Sequence, residues 1–211
     1  MQPPIKIEPI KPDYAEALEE LQRICLPTLG EDELLLKKHF LKHCEIFPEG
    51  NFVAIADEKI VGLGSGFLCH FDFDHPQHSF MEFIDYGFYT NHDPNGEWYY
   101  GADISVHPDY RRRGIGGKLY RARKGVVKRL NKRGIIGGGL IPTFAEYKDQ
   151  MDVYEYVEKV VAGEIYGQTL TFQLNNGFEV RGLIEDYLLD EASDNWSTLI
   201  VWDNPDYKPE E

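Results

Sequence analysis

The sequence predicts one α/β domain built on a mixed, mostly antiparallel sheet with flanking helices. Segments in which apolar and polar residues alternate, as in strands, are interspersed with segments whose apolar residues recur every three or four positions, as in helices. Their order along the chain is a strand, two helices, three strands, a helix, a strand, helices and two strands. With 211 residues, 42% of them hydrophobic, the chain is long enough for one sizeable core. We expect this domain to span residues 1–203, followed by a polar tail at 204–211.

The first third of the chain predicts a strand, two helices and a hairpin. Residues 5–10 alternate as a strand does, and residues 13–25 and 32–44 have helical periodicity. Two further strands, 52–56 and 60–69, are joined by a turn of three residues, which fits a hairpin. His39 and His43 lie four residues apart on the second helix, but no third metal ligand is evident, so we expect an ordinary helix surface there.

Residues 70–97 form a long excursion that is rich in histidine, acidic and aromatic residues. The spacing of its histidines and aspartates matches no metal site, so we predict a hairpin-like segment and no metal. We expect its aromatic side chains to line a pocket, with four carboxylates on the wall: Glu82, Asp85, Asp93 and Glu97. Pro94 and Gly96 have the chemistry of a turn that returns the chain into a strand at 98–106.

The most informative segment is a strand followed by a glycine-bearing turn and a basic helix. Residues 103–106 alternate as a strand does, and the turn at 107–117 contains Pro108 and three glycines. The helix that follows has one apolar stripe, made of Ile115, Leu119, Ala122, Val126 and Leu130. Residues 110–133 hold eleven of the 22 Lys and Arg of the chain and no acidic residue.

This combination predicts an anion-binding site. Glycines allow a tight turn and a close approach of the backbone to a ligand. The first turn of a helix offers unpaired N–H groups and the positive end of its dipole, which suit a phosphate, and arginines add charge-assisted hydrogen bonds. The alternative is an ordinary turn before an exposed helix whose basic face is solvated. The strand, the arginines, the apolar stripe and the lack of acids together favour the anion site.

The turn resembles the acyl-CoA-binding motif of the GNAT superfamily of N-acetyltransferases. The resemblance rests on Arg111-x-x-Gly114-x-Gly116 after the strand that ends at 105–108. It implies that the backbone amides of the turn hold the pyrophosphate of CoA, while the strand pairs with the pantetheine arm. The expected binding residues are Ile104, Ser105, Val106, Arg111, Arg112, Arg113, Gly114, Ile115, Gly116 and Gly117, together with Asn175 at the end of a later helix.

Five further segments resemble one branch of this family, the GNAT domain that some proteins carry ahead of a nitrilase-like amidohydrolase. They are residues 101–103, 137–139, 141–142, 154–157 and 170–174. We expect a standalone domain here, with no hydrolase after residue 211. The resemblance implies two central strands that splay apart around the thioester. It also implies direct transfer of an acetyl group from acetyl-CoA to a primary amine, with no covalent enzyme intermediate.

The catalytic candidates follow from the needs of that reaction. A primary amine must lose a proton, for which Asp103 and Tyr100 are candidates, and the oxyanion needs a donor such as the backbone N–H near Ile104 or Ser105. Many members of the family have a tyrosine that protonates the thiolate where this chain has Gln173, so the acid comes from elsewhere or is not needed, and Tyr166 is one candidate. The alternatives are a strand-end hydrogen bond for the aspartate and simple packing for the tyrosines.

Charge and cysteine content limit the partners. The chain has a net charge of −14, and outside the basic segment eleven Lys or Arg face 36 Asp or Glu. We therefore expect a cationic amine acceptor and no nucleic acid, although the acidic surface is equally a solubility feature. A non-catalytic CoA sensor and an anion- or nucleic-acid-binding domain remain alternatives, and a homodimer remains open. Three unpatterned cysteines, no signal peptide and no membrane-spanning run predict a cytoplasmic protein.

Overall fold

The computed structural model describes residues 4–27 and 29–209, which fold around a seven-stranded sheet of order β1-β2-β3-β4-β5-β7-β6. Neighbouring strands are antiparallel except for β4 and β5, which are parallel. The predicted mixed, mostly antiparallel sheet is confirmed. The strands are β1 Lys6–Pro9, β2 Phe52–Ala56, β3 Lys59–Cys69, β4 Trp98–Val106, β5 Gly134–Leu140, β6 Glu179–Ile184 and β7 Ser197–Asp203.

Helices cover both faces of the sheet. On one face α1 packs on β3 and β4, and on the other face α4 packs across β2 to β5. The predicted second helix begins later than expected, because residues Glu31–Glu33 form a separate 3-10 turn, and another 3-10 turn spans Pro142–Glu146. The helices are α1 Ala15–Cys25, α2 Lys37–Ile46, α3 Phe80–Phe83, α4 Ile115–Arg129, α5 Val153–Val161 and α6 Gln168–Asn175.

The excursion between β3 and β4 covers α2, which changes the environment of the two histidines on that helix. His43 is fully buried, stacks on Tyr89 at 3.7 Å between ring centroids, and hydrogen-bonds the carbonyl of Gly87. His39 is also buried and meets Phe88 edge-on. The expectation of an ordinary helix surface is therefore wrong, because helical periodicity does not reveal which later segment packs over a helix. Burial lowers the pKa of His43 to about 3 and that of His39 to about 4.

The predicted polar tail begins as an ordered segment in the part that the structure describes. Asn204 is buried and donates hydrogen bonds to the carbonyls of Lys132 and Arg133, just before β5. Lys208 bonds Asn131 through its N–H and carbonyl groups, and Asp206 pairs with Lys128. Polar residues up to 208 therefore cap the C-terminal end of α4.

Two irregularities in the centre of the sheet create the site. β4 and β5 pair only from Trp98 to Tyr100, while β5 stays paired with β7 as far as Leu140, so β4 and β5 splay apart. The splayed central strand pair predicted from the sequence is confirmed. In addition, Ala102 has no partner on β3, because Gly101 faces Gly66 and Asp103 faces Ser65.

This one-residue bulge at Ala102 reverses the alternation of side chains along β4. Tyr100 and Asp103 are three residues apart and would point to opposite faces of a regular strand. With the bulge between them, both point to the face that α1 covers.

Gly125 offers a direct test of the helix that carries the basic segment. It lies exposed in the middle of α4, and a methyl group at this position would meet nothing within 4 Å. We expect Gly125→Ala to raise the free energy of unfolding by about 1 kcal/mol, because alanine loses less backbone entropy on folding. Gly116→Ala in the first turn of the same helix is the control that should destabilise, since its Cβ would lie 2.6 Å from the ring of Phe172. Urea denaturation measures both, and a destabilised Gly125→Ala would contradict the assignment.

Candidate active site

A cavity of about 1210 Å³ opens where β4 and β5 separate. Its walls come from the second half of β4, the first turn of α4, α6 and the C-terminal end of α1. The glycine turn and the gap between the strands thus belong to one continuous cleft. A ligand with an anionic end and a long arm fits such a cleft, since the turn receives the anion and the gap receives the arm.

The turn before α4 is held in a shape that presents backbone N–H groups to the cleft. Arg112 has φ 60° and Gly114 has φ 72°, so two residues of the turn are left-handed. The first hydrogen bond of the helix runs from the N–H of Lys118 to the carbonyl of Gly114. The N–H groups of Ile115, Gly116 and Gly117 precede it and have no earlier helical turn to bond. These three residues line the cavity at the position where the sequence predicts an anion site.

Nine of the eleven predicted binding residues line the cavity. Arg111 also fixes the turn to β4, because its Nε donates to the carbonyl of Val106 at 3.1 Å. The two exceptions are Arg113, whose guanidinium lies over the ring of Tyr110, and Asn175. Asn175 is exposed at the end of α6, about 200° around the helix from Gln173, which does line the cavity. The structure therefore does not bring Asn175 to the cleft.

The backbone of β4 distinguishes between the two predicted oxyanion donors. The N–H of His107 bonds the carbonyl of Val61 on β3. Bonding groups alternate along an antiparallel strand, so Ser105 also bonds β3, whereas the N–H groups of Ile104 and Val106 face the gap. Of the two candidates, Ile104 has its N–H group directed into the cleft.

Asp103 lies on the floor of the cleft and is held by two donors. The amide Nε2 of Gln22 donates to one carboxylate oxygen at 2.5 Å, and the hydroxyl of Ser105 donates to the other at 2.7 Å. Burial raises the pKa of Asp103, although these hydrogen bonds, the charge of Arg123 and the backbone N–H of Ile104 act in the opposite direction. The carboxylate is half-buried because it faces the cavity. A carboxylate in this state is suited to accept a proton.

Tyr100 lies behind the cleft, and a tyrosine that sequence reasoning missed stands in front of it. Tyr100 is fully buried, does not line the cavity, and is hydrogen-bonded to the hydroxyl of Tyr187 at 2.9 Å. Tyr187 follows β6, lines the cavity, and lies so close over Gly138 of β5 that any side chain there would collide with its ring. The glycines of β5 indicated a close approach of some group, but nothing in the local sequence identified Tyr187.

The two residues considered for the leaving thiolate lie on the α6 side of the cleft. Gln173 is buried beside Gly139, and its carbonyl Oε1 has no hydrogen-bond partner among the described residues. Tyr166 is 70% exposed on the rim of the cavity. The structure thus places a buried amide with an unpaired oxygen where many members of the family have a tyrosine, and Tyr120 lies beside it.

The prediction that four carboxylates of the excursion form the wall of the pocket is wrong. Of the excursion 70–97, Phe80 lines the cavity, whereas the predicted carboxylates lie elsewhere. Glu82 is exposed, Asp85 accepts from Thr90, Asp93 faces His70, and Glu97 pairs with Arg133. The aromatic residues of the excursion pack mainly into the core, since large apolar rings are buried when a sheet face is available. The carboxylates that line the cavity are Glu33, Asp103 and Asp190.

The comparison with known proteins identifies the family to which this chain belongs. The sequence model of the acetyltransferase (GNAT) family matches residues 15–136, more than half of the chain. The chain belongs to this family, as its sequence predicts. It is similar to YkwB of Bacillus subtilis (strain 168), an uncharacterized N-acetyltransferase, with 35% identity over 92% of this chain and 86% of that protein.

Two further proteins are similar over nearly the whole chain. YhcX of Bacillus subtilis (strain 168), a probable hydrolase, is 42% identical over 91% of this chain, which spans 37% of that protein. The GNAT-like decarboxylase GphF, solved in complex with isobutyryl-CoA, superimposes with a TM-score of 0.80 at 19% identity, over 94% of this chain and 99% of that one. At that identity the likeness concerns the fold alone.

Two further features concern the helices and the potential metal ligands of residues 4–27 and 29–209. No helix in these ranges is long and apolar enough to cross a membrane. Within the same ranges, no three His, Cys, Asp or Glu side chains are grouped so that they could hold a metal ion.

Proposed function

We propose that the protein transfers an acetyl group from acetyl-CoA to a primary amine. The observation that carries this proposal is the single cleft that joins the N–H groups before α4, the gap between β4 and β5, and the carboxylate of Asp103. The pyrophosphate binds the turn, the pantetheine arm follows β4, and the thioester lies in the gap. There the N–H of Ile104 stabilises the oxyanion that forms on attack.

The amine nitrogen gives up two protons in this reaction. An alkylammonium has a pKa near ~10.4 and must lose one proton before it attacks, and a second leaves as the C–N bond forms. We propose that Asp103 receives the first proton, directly or through water. The thiolate of CoA leaves and is protonated by water from the open cleft, since the amide of Gln173 is no acid. Tyr166 on the rim remains a candidate donor.

The expected acceptor is a cationic amine with an apolar body. Leu26, Leu29 and Leu188 line the acceptor side of the cleft, with the carboxylates of Glu33 and Asp190 beside them. Carboxylates attract cations. Salt weakens this attraction, because the Debye length falls from ~10 Å at 0.1 M to ~3 Å at 1 M ionic strength.

We expect Glu33→Gln to raise KM for a cationic amine about two- to five-fold, since a half-exposed charge pair contributes ~0.5–1 kcal/mol. The affinity for acetyl-CoA, measured by isothermal titration, should not change. Glu82→Gln, which removes the same charge outside the cleft, is the matched control. A preference for an acidic acceptor such as glutamate, insensitive to ionic strength, would contradict the proposal.

Two measurements test the function itself. Isothermal titration with acetyl-CoA, isobutyryl-CoA, CoA and a short DNA duplex establishes the ligand class, and we expect the CoA thioesters to bind and the duplex not to. Release of free thiol over a panel of amines then separates an enzyme from a sensor. The second candidate, a CoA sensor, is favoured by the lack of an acid at Gln173. Tight binding of acetyl-CoA without thiol release on any amine would support it.

A further inference from the structure

Three side chains form a continuous hydrogen-bonded chain that begins in the cleft. The hydroxyl of Tyr187, which lines the cavity, lies 2.9 Å from the hydroxyl of Tyr100. The same Tyr100 hydroxyl lies 2.9 Å from Nε2 of His78. The other nitrogen of this ring, Nδ1, lies 2.7 Å from the carbonyl of Pro76. These hydrogen bonds therefore lead from the gap between β4 and β5 to the half-buried imidazole of His78 in the excursion.

The direction of every bond in this chain follows from its last member. A carbonyl only accepts, so Nδ1 of His78 carries the hydrogen that is donated to Pro76. A neutral imidazole has one N–H, which makes Nε2 an acceptor for the hydroxyl of Tyr100. The single hydroxyl hydrogen of Tyr100 is donated to His78, so the hydroxyl of Tyr187 must donate to that of Tyr100. All the bonds point from the cleft towards His78.

The surroundings of His78 keep it neutral. Its ring is packed among Phe71 and Phe83 of the excursion, Tyr100 of β4 and Tyr187 of the segment after β6. The two tyrosines are the titratable groups that face it from these elements. Burial lowers the pKa of His78 and raises those of Tyr100 and Tyr187. Near neutral pH both hydroxyls therefore keep their hydrogens, and Nε2 of the neutral imidazole accepts from Tyr100.

We propose that Tyr187, Tyr100 and His78 conduct the second amine proton out of the cleft, an inference that rests on the proposed acetyl transfer. As the C–N bond forms, an N–H bond of the amine breaks and its proton passes to the oxygen of Tyr187. The hydrogen of Tyr187 passes to Tyr100, and that of Tyr100 to Nε2 of His78. The imidazolium then releases one proton to solvent, and both tyrosines return to their starting form. Tyr187 touches the substrate, while Tyr100 and His78 act through it.

Kinetics of three variants test this relay. Tyr100→Phe removes the middle hydroxyl and keeps the ring, and His78→Gln keeps an acceptor that cannot hold a proton. We expect each to lower kcat at least ~10²-fold with an unchanged affinity for acetyl-CoA. Each should also remove the decline in kcat that accompanies protonation of His78 at acid pH. Tyr99→Phe is the matched control: its hydroxyl bonds the carbonyl of Gly50 on the opposite face of the same strand, so kcat should not change. If Tyr100→Phe or His78→Gln kept both the kcat of the wild type and its decline at acid pH, the relay would be overturned.

A second measurement is independent of activity. Nitrogen-15 NMR of the histidine rings should show His78 near neutral pH as the neutral tautomer with hydrogen on Nδ1. A hydrogen on Nε2 would reverse the chain and overturn the proposal, even in a protein that acetylates amines. Conversely, thiol release on no amine would refute acetyl transfer and, with it, the relay as a step of that reaction, whatever the tautomer. The two failures are therefore distinguishable.

Discussion

Gly114→Glu is expected to abolish the binding of acetyl-CoA while the fold remains intact. Gly114 precedes α4 at φ 72°, lines the cleft, and has open space around the position of a Cβ. The Cβ of a substituted residue therefore meets no protein atom, and we expect the glutamate carboxylate to reach the anion site. There it opposes the pyrophosphate with a like charge, at the helix end whose N–H groups would otherwise bind it. Isothermal titration measures the affinity, and circular dichroism verifies the fold.

Two variants separate charge from backbone strain in this experiment. Gly114→Gln has the same length and the same left-handed strain of ~1–2 kcal/mol but no charge, so we expect it to bind acetyl-CoA more tightly than Gly114→Glu. Gly163→Glu makes the same substitution at φ 78°, again in open space, but after α5 and outside the cleft. It should bind like the wild type. An unchanged affinity in Gly114→Glu would refute the assignment of the turn.

Asp103→Asn is expected to lower kcat by ~10²–10⁴-fold, the usual cost of losing a general base, with little effect on KM for acetyl-CoA. The asparagine retains the size of the side chain and the hydrogen bonds. Its Oδ1 accepts from Gln22, and its Nδ2 faces the hydroxyl of Ser105, which turns to accept. The decline that His78 causes at acid pH should persist, because the relay remains intact. A wild-type kcat in Asp103→Asn together with a loss in Tyr166→Phe would move the essential proton transfer to the rim.

Asp103→Asn is expected to lower kcat but to leave the stability of the fold unchanged or to raise it. The pKa of Asp103 is raised in the folded protein, so the folded state binds more protons than the unfolded state between the two pKa values. Stability falls as pH rises through that interval, and above it the carboxylate lowers the stability of the fold. We therefore expect thermal denaturation at pH 8 to show Asp103→Asn at least as stable as the wild type, with the advantage lost at acid pH. A less stable variant at pH 8 would show that the hydrogen bonds outweigh burial.

Some features of the site were predictable because they are contiguous in sequence. The turn at Arg111–Gly117 combines glycines, arginines and the start of an amphipathic helix within a few residues, and nine of the eleven binding residues chosen from it and its neighbours line the cleft. The strand Trp98–Val106 has the bounds that the sequence predicts. Periodicity identifies the buried face of an element, and local geometry determines where a helix begins.

The sequence by itself determined the class of fold, the family and the position of the glycine turn in this protein. Tertiary structure alone decided which distant side chains meet in the cleft. Tyr187 reaches Tyr100 across 87 residues, and Gln22 reaches Asp103 across 81. Tertiary structure also decided that the carboxylates lining the cleft are Glu33, Asp103 and Asp190, and not those of the excursion. The reason is that strand order, register and a bulge of one residue determine which side chains are in contact. A register shift of one residue would turn each side chain of a strand to the opposite face of the sheet.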